Sequence, residues 1–201
     1  MKKLGAAVSA ALVLAAPGAG LADTWNIDTA HTQTGFAVKH LVISTVKGEF
    51  GKTTGTVTLD DKDLAKSSVE AVIDVTSINT RIPDRDGHLK SPDFFDVAKF
   101  PSITFKSTKV EKAGEGLKVT GNLTMKGVTK PVTLDVTGPT AEIKGMRGEI
   151  RRGLSARTRI NRQDFGLTWS KLVEAGPVVG DEVSIEIDAE LVKDAPAPAG
   201  K

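Results

Sequence analysis

Period two dominates the chain. Val69, Ala71, Ile73 and Val75 alternate with Glu70, Val72, Asp74 and Thr76; Leu117, Val119, Leu123 and Met125 share one parity; Val132, Leu134 and Val136 alternate with Thr133 and Asp135. Val183, Ile185, Ile187, Ala189 and Leu191 repeat the pattern against Ser184, Glu186, Asp188 and Glu190. Successive side chains of a strand point to opposite faces, so these runs predict antiparallel strands with one face buried. Shorter alternations stand at Trp25/Ile27, Phe36/Val38, Val57/Leu59, Ile103/Phe105 and Ile150/Leu154/Ala156/Ile160, and Gly114-Glu-Gly116 and Met125-Lys-Gly127 supply hairpin turns. The pattern predicts eight or nine strands and little helix. The best helical stretch runs from Pro83 to Ser91, with Asp84 as candidate cap and Pro92 barring continuation. Strands joined in order by short turns predict an all-β up-and-down barrel or a sandwich, and a closed barrel leaves no exposed edge.

Composition narrows the class. The 201 residues, 39% hydrophobic and 26% charged, suit one soluble folded core. Met1-Lys2-Lys3, an apolar run from Leu4 to Ala16 and the small residues of Gly20-Leu21-Ala22 read as a secretory signal peptide cleaved after Ala22. The run breaks at Pro17-Gly18, short of the roughly 20 apolar residues that a membrane span requires. The expected organisation is therefore a signal peptide over 1–22, one domain over 23–193 and a Pro/Ala tail over 194–201, exported to the periplasm with no stable membrane insertion. Lys plus Arg is 27 and Asp plus Glu 25; without Lys2 and Lys3 the balance is 25 against 25, which gives no reason to expect nucleic acid as partner. The absence of Cys excludes disulfides, thiol nucleophiles and cysteine-bound clusters.

A barrel of about eight strands is either plugged by its own side chains or holds one small ligand. Aromatics are 4% (seven Phe, two Trp, no Tyr), and the buried parity is mostly Val, Ile, Ala and Leu. Such a lining either leaves room for a long, thin apolar guest in a tube about 25 Å tall or packs against itself, and composition leaves both readings open.

Rival chemistries find little support. His31, His40 and His88 are the only imidazoles; the first two are nine apart, which on an unbroken strand sends them to opposite faces, so no metal is expected and structural hydrogen bonds near the barrel ends are the simpler role. Neither a Gly-x-Ser-x-Gly elbow nor a His-Glu-x-x-His motif occurs, and Gly51-Lys52-Thr53 lacks the first glycine of a phosphate loop. Asp84, Asp86, Asp93 and Asp96 lie among Arg81, Arg85 and Lys90, as in a solvated, ion-paired loop, so no catalytic residue is assigned. The 81–96 segment interrupts the strand rhythm and ends in Phe94-Phe95, which suits either a lid over a barrel mouth or a cap on its core. In the basic run after residue 146, Arg147, Arg151, Arg157 and Arg159 share one parity and are expected on an outward strand face.

Eight motifs follow one another along the chain: Trp25-Asn-Ile-Asp28-Thr-Ala-His31, Phe36-Ala-Val-Lys-His40-Leu with Gly48-Glu-Phe50, Val75-Thr-Ser-Ile78-Asn-Thr80, Arg85-Asp-Gly-His88-Leu-Lys-Ser91 with Asp93-Phe-Phe-Asp96, Phe100-Pro-Ser-Ile103-Thr-Phe105, Gly121-Asn-Leu-Thr-Met-Lys-Gly127 running on to Val132, Asn161-Arg-Gln-Asp-Phe-Gly166, and Val179-Gly-Asp-Glu-Val183. Together they resemble the YceI-like family of exported, lipocalin-like, polyisoprenoid-binding proteins. The resemblance spans about Asp23 to Val192. It implies an extended antiparallel up-and-down barrel of about eight strands with one or two short helices at its end, no cofactor, and a long-chain isoprenoid lipid (quinone or polyprenyl phosphate type) in an apolar lumen, often in a homodimer. With strand parity, it puts Phe36, Val38, Phe94, Phe95, Ile103, Phe105, Leu123, Leu134, Phe165 and Trp169 against the tail, and Arg85, His88, Arg162 and Asp164 at the mouth or headgroup. The rival readings are an interaction or stress-response barrel without a ligand and an enzyme using the 81–96 loop.

Overall fold

The computed structural model describes residues 22–174 and 176–193; the expected signal peptide, apart from Ala22, and the expected tail after Lys193 lie outside the described residues. The strands are β1 Asp23–Ile27, β2 Gln33–His40, β3 Ser44–Phe50, β4 Thr53–Leu59, β5 Ser68–Asp74, β6 Ile78–Asn79, β7 Ser102–Ala113, β8 Gly116–Met125, β9 Val128–Thr137, β10 Ile143–Lys144, β11 Ile150–Asn161, β12 Leu172–Val173, β13 Gly176–Pro177 and β14 Val179–Lys193, and one helix, α1, spans Pro83–Lys90.

These strands close a ring of eight antiparallel staves. β1 and β2 make one stave, interrupted by a 3-10 turn at Thr29–His31, and β3 and β4 make the second, interrupted at Gly51-Lys52. β1 pairs with β4 and β2 with β3; β5, β7, β8, β9, β11 and β14 then follow as neighbours, and β14 returns to β1 and β2. Strand order thus follows chain order, the up-and-down alternative rather than the sandwich. The interruptions have local causes. Asp28 accepts the Ala30 N–H and caps the 3-10 turn, while the Gly51 and Lys52 amides leave the ladder for the carbonyl and hydroxyl oxygens of Ser77.

The near end of the barrel carries α1, the β2–β3 turn and the start of β14. Pro83 opens α1, and the sequence-based expectation for its cap is corrected. Asp84 lies inside the first turn, Ile82 holds the capping position without a side-chain bond, and Asp86 ties the helix down by accepting from the Thr80 N–H and hydroxyl at 2.8 and 2.5 Å. The helix is polar apart from Leu89, which packs against the core and reaches the lumen, and the chain behind it supplies further apolar contact: Phe94 and Phe95 turn into the barrel end, where the Phe95 ring meets Phe50 edge-on at 5.9 Å. At the far end, Trp25, Val57, Leu59 and Leu191 form a second cluster, and Arg152 and Lys193 lie over the Trp25 ring at 5.2 and 4.8 Å.

Two positions depart from regular strand and hairpin chemistry. The β2–β3 turn places Leu41 and Val42 at φ +49° and +66°, the left-handed region that a two-residue turn normally fills with Asn-Gly, at a strain of roughly 1–2 kcal/mol for each residue. In β8, Gly121 stands where a Cβ would come within 2.5 Å of the Phe105 ring, so its missing side chain is what lets that ring lie flat on the wall.

Candidate functional site: the barrel lumen

The inward parity of every stave faces one continuous apolar cavity of about 240 Å³, lined along β14 from Val179 to Leu191. Twelve residue steps at about 3.3 Å, tilted near 40°, give it a length of roughly 30 Å. The wall is uneven. Ile103, Phe105, Leu117, Val119, Leu123 and Met125 of β7 and β8 are buried, whereas Phe36, Val38, Ala71, Ile73, Leu134, Ile185 and Ile187 are only half-buried although they point into the barrel. A core packed to the usual density leaves few voids larger than a water molecule, so side chains in this state line an unfilled lumen.

Polar groups in the wall are few and mostly satisfied. The Thr34 and Thr53 hydroxyls bond to each other at 2.8 Å, Thr158 donates to the Thr133 carbonyl, and Ser67 accepts the Asp60 N–H. Among the lining residues there is no carboxylate and no imidazole. The surface therefore offers a guest dispersion contact and the removal of apolar area from water, and little else.

Of the ten residues expected against the tail, Phe36, Val38, Phe94, Phe95, Ile103, Phe105, Leu123 and Leu134 lie on the lumen wall. Phe165 and Trp169 do not. β9 meets β11 only at Asp135–Thr137, so the two strands separate toward the near end, and the 3-10 turn Arg162–Phe165 packs beside them with Phe165 just 2% exposed. Trp169 lies 5.2 Å from Phe94 and 5.0 Å from His88, clamping the end segment from outside the lumen.

The four headgroup positions do not converge. Arg162 touches the lumen but is 3% exposed, and all five of its donors are engaged: Nε with the Gly180 carbonyl, one amino group with the carbonyls of Leu167 and Trp169, the other with the Val179 carbonyl and the Asp181 carboxylate. No donor remains for a phosphate, so the expected headgroup role gives way to a structural one. Arg85 donates to the Thr80 hydroxyl and carbonyl, holding α1 to the residue that follows β6. His88 bonds Asp93 at 2.9 Å, and Asp164 is exposed to solvent; neither lines the cavity. Sequence reasoning missed most of the β14 wall as ligand surface (Val183, Ile185, Ile187), although its alternation was plain.

Outside the barrel, Asp28, His31 and Glu190 bring potential ligand atoms within 4.8 Å of one another, but the Arg151 guanidinium compensates their charge, donating to Asp28 at 2.6 Å, Glu190 at 2.8 Å and Glu149 at 3.1 Å. This pairing holds the Asp28 carboxyl at about 2, well below the usual range, with the His31 bond adding to the effect. Arg157 and Arg159 pair with Glu186 and Glu182 on the outward face, as strand parity required.

A closed eight-stave barrel around a long apolar lumen, with no carboxylate or imidazole among its lining residues, defines the class of lipocalin-like barrels. Within that class the chain belongs to the YceI family: the YceI-like domain matches residues 25–191. It is 39% identical over 198 residues to a UPF0312 protein of Vibrio parahaemolyticus, covering 96% of this chain and all of that one, and 39% identical over 178 residues to a UPF0312 protein of Yersinia pestis, covering 88% and 90%. Its fold superposes on Burkholderia cenocepacia BcnA with a TM-score of 0.70 at 26% identity, over 84% of this chain and 99% of that one. The Campylobacter jejuni YceI protein follows with a TM-score of 0.65 at 33% identity, over 78% and 90%. A polyisoprenoid binding domain from Saccharophagus degradans shares the fold at a TM-score of 0.61 and 18% identity, over 88% and 99%.

Proposed function

We propose that this protein is a non-catalytic carrier that takes up the chain of a long isoprenoid lipid in its lumen and holds it in the periplasm. The observation that carries the reading is the cavity itself. An apolar void of about 240 Å³ left empty costs on the order of 6 kcal/mol at about 24 cal/mol per Å³, a large part of the 5–15 kcal/mol that separates a folded domain from its unfolded chain. Water does not relieve this, because an apolar cavity stays dry. A hydrocarbon chain does: each five-carbon unit contributes roughly 3–4 kcal/mol gross, before the costs of association. The roughly 30 Å length and narrow form favour a linear chain over a compact guest. The Saccharophagus domain that shares the fold is a polyisoprenoid binder, which supports the same ligand class. The basic start and apolar run of 1–22 support export.

The test is a titration of the delipidated protein with polyprenyl alcohols and quinones of increasing chain length, read by displacement of a fluorescent hydrocarbon probe. Affinity should climb with each added unit until the lumen is filled and then level off. An affinity indifferent to chain length would refute the reading.

A further inference from the structure

The near-end rim carries a feature that the lumen does not explain. The β2–β3 turn exposes Val42 at 59% and Ile43 at 81%, and the β12–β13 hairpin exposes Leu172 at 83% and Val173 at 45%. The hairpins touch, since Val42 reaches to within 3.6 Å of the position a Gly176 Cβ would take, and the Leu41 N–H donates to the Val178 carbonyl. The β2–β3 tip is held in a left-handed turn suited to Asn-Gly, yet its residues are Leu41 and Val42. Backbone strain and apolar exposure are thus both tolerated at one place, with no return inside the isolated molecule.

The surrounding charge indicates what covers it. Lys39 and Lys47 share the outward face of the β2–β3 hairpin, Lys171 precedes the second tip, and among the described residues none of the three has a carboxylate within ion-pair distance. The nearby acids are largely engaged: Asp181 accepts from Arg162 and Gln163, and Glu182 lies 3.6 Å from Arg159, leaving exposed Glu174 as the opposing charge on the second hairpin. Apolar tips ringed by unpaired lysines match the two layers of an anionic bilayer surface, acyl chains beneath phosphates. The rim also continues into the lumen, because Val179, which pairs with His40 beside the turn, lines the cavity.

We propose that the two tips form a membrane-docking face: Val42, Ile43, Leu172 and Val173 enter an anionic bilayer, the lysines engage phosphates, and the lumen is presented to the lipid it loads or delivers. The cargo rests on the carrier reading above; the docking does not.

Flotation with vesicles of phosphatidylethanolamine and phosphatidylglycerol (3:1) tests it, with pure phosphatidylcholine vesicles for comparison. The full-length mature protein should float with the anionic vesicles, less so at 0.5 M salt, and Ile43→Ser with Leu172→Ser should lower partitioning by about tenfold or more. Met146→Ser, which removes an equally exposed apolar side chain at the far end, should leave it unchanged. Ala156→Trp, which narrows the lumen, should lower lipid affinity at least tenfold and keep flotation, so that a failure of the carrier reading and a failure of docking give different results. Equal flotation of the tip variant and the parent overturns the proposal. So does a sedimentation experiment in which the tip variant dissociates a dimer of the parent while vesicle binding persists, because the patch would then face a second copy.

Discussion

Replacing Arg162 with Met separates a structural arginine from a lipid-binding one. The substitution keeps a long apolar stem and removes five hydrogen bonds, stranding the carbonyls of Leu167, Trp169, Val179 and Gly180 together with the Asp181 carboxylate. Asp181 is half exposed and can be rehydrated, whereas Leu167 is 6% exposed and cannot. The Leu167 carbonyl left buried without a partner, at about 1–3 kcal/mol, plus the charge-assisted bond to Asp181, at about 1.5–3 kcal/mol, give a loss of about 3–6 kcal/mol. At about 2–4 °C per kcal/mol for a domain of this size, Tm should fall by roughly 10 °C, measured by circular dichroism. The variant should still bind a neutral polyprenol and a polyprenyl phosphate with the same relative preference as the parent, assayed below its Tm. An unchanged Tm with selective loss of the phosphate ligand would refute the reasoning and return Arg162 to the headgroup.

Further consequences follow from the same geometry. Ala156→Trp, at a buried position on the lumen wall, should displace the lipid chain and reduce affinity at least tenfold while the far-ultraviolet spectrum stays that of a barrel; retained affinity would place the ligand elsewhere. Gly121→Ala drives a Cβ against the Phe105 ring and the Lys106 carbonyl, of which only the ring can move aside, and should destabilise the fold by about 1–3 kcal/mol in urea unfolding; an unchanged midpoint would contradict this packing. Asp28 has its carboxyl lowered from 3.8 to about 2 by Arg151, so its stabilising effect is complete above about 3.8 and is lost as pH falls through 2. Asp28→Asn should accordingly be less stable than the parent at pH 6 and converge with it near pH 2; a constant difference across that range would contradict the pairing.

Much of the barrel was legible because alternation reports which face is buried. Each inward residue that the alternation marks on β8, β9 and β14 lies on the lumen wall, and the two Gly-centred turns join their strands as expected. What escaped has physical reasons. The β2–β3 turn lacks a turn signal because Leu41 and Val42 occupy positive φ against their own preference. Two staves are broken by turns whose hydrogen bonds come from Ser77 and Asp28, and periodicity carries no information about such partners. Strand parity with the family resemblance puts Phe165 and Trp169 in the lumen, but whether an aromatic faces the lumen or seals a gap between β9 and β11 depends on where that pairing ends. Arg162 was assigned from charge, and only the backbone around it reveals that every donor is already used. The hollow itself was undecided in the sequence because small apolar residues serve a filled and an unfilled barrel equally; the half-buried walls of β2, β5 and β14 separate the two.

Whether the lumen holds a hydrocarbon chain can be read by gentle purification of the protein from its own host, native mass spectrometry of the intact species, and extraction of what is released. A roughly stoichiometric lipid with a long isoprenoid chain is expected, displaced in the Ala156→Trp variant. A protein that emerges empty and also refuses added long-chain isoprenoids would contradict this expectation.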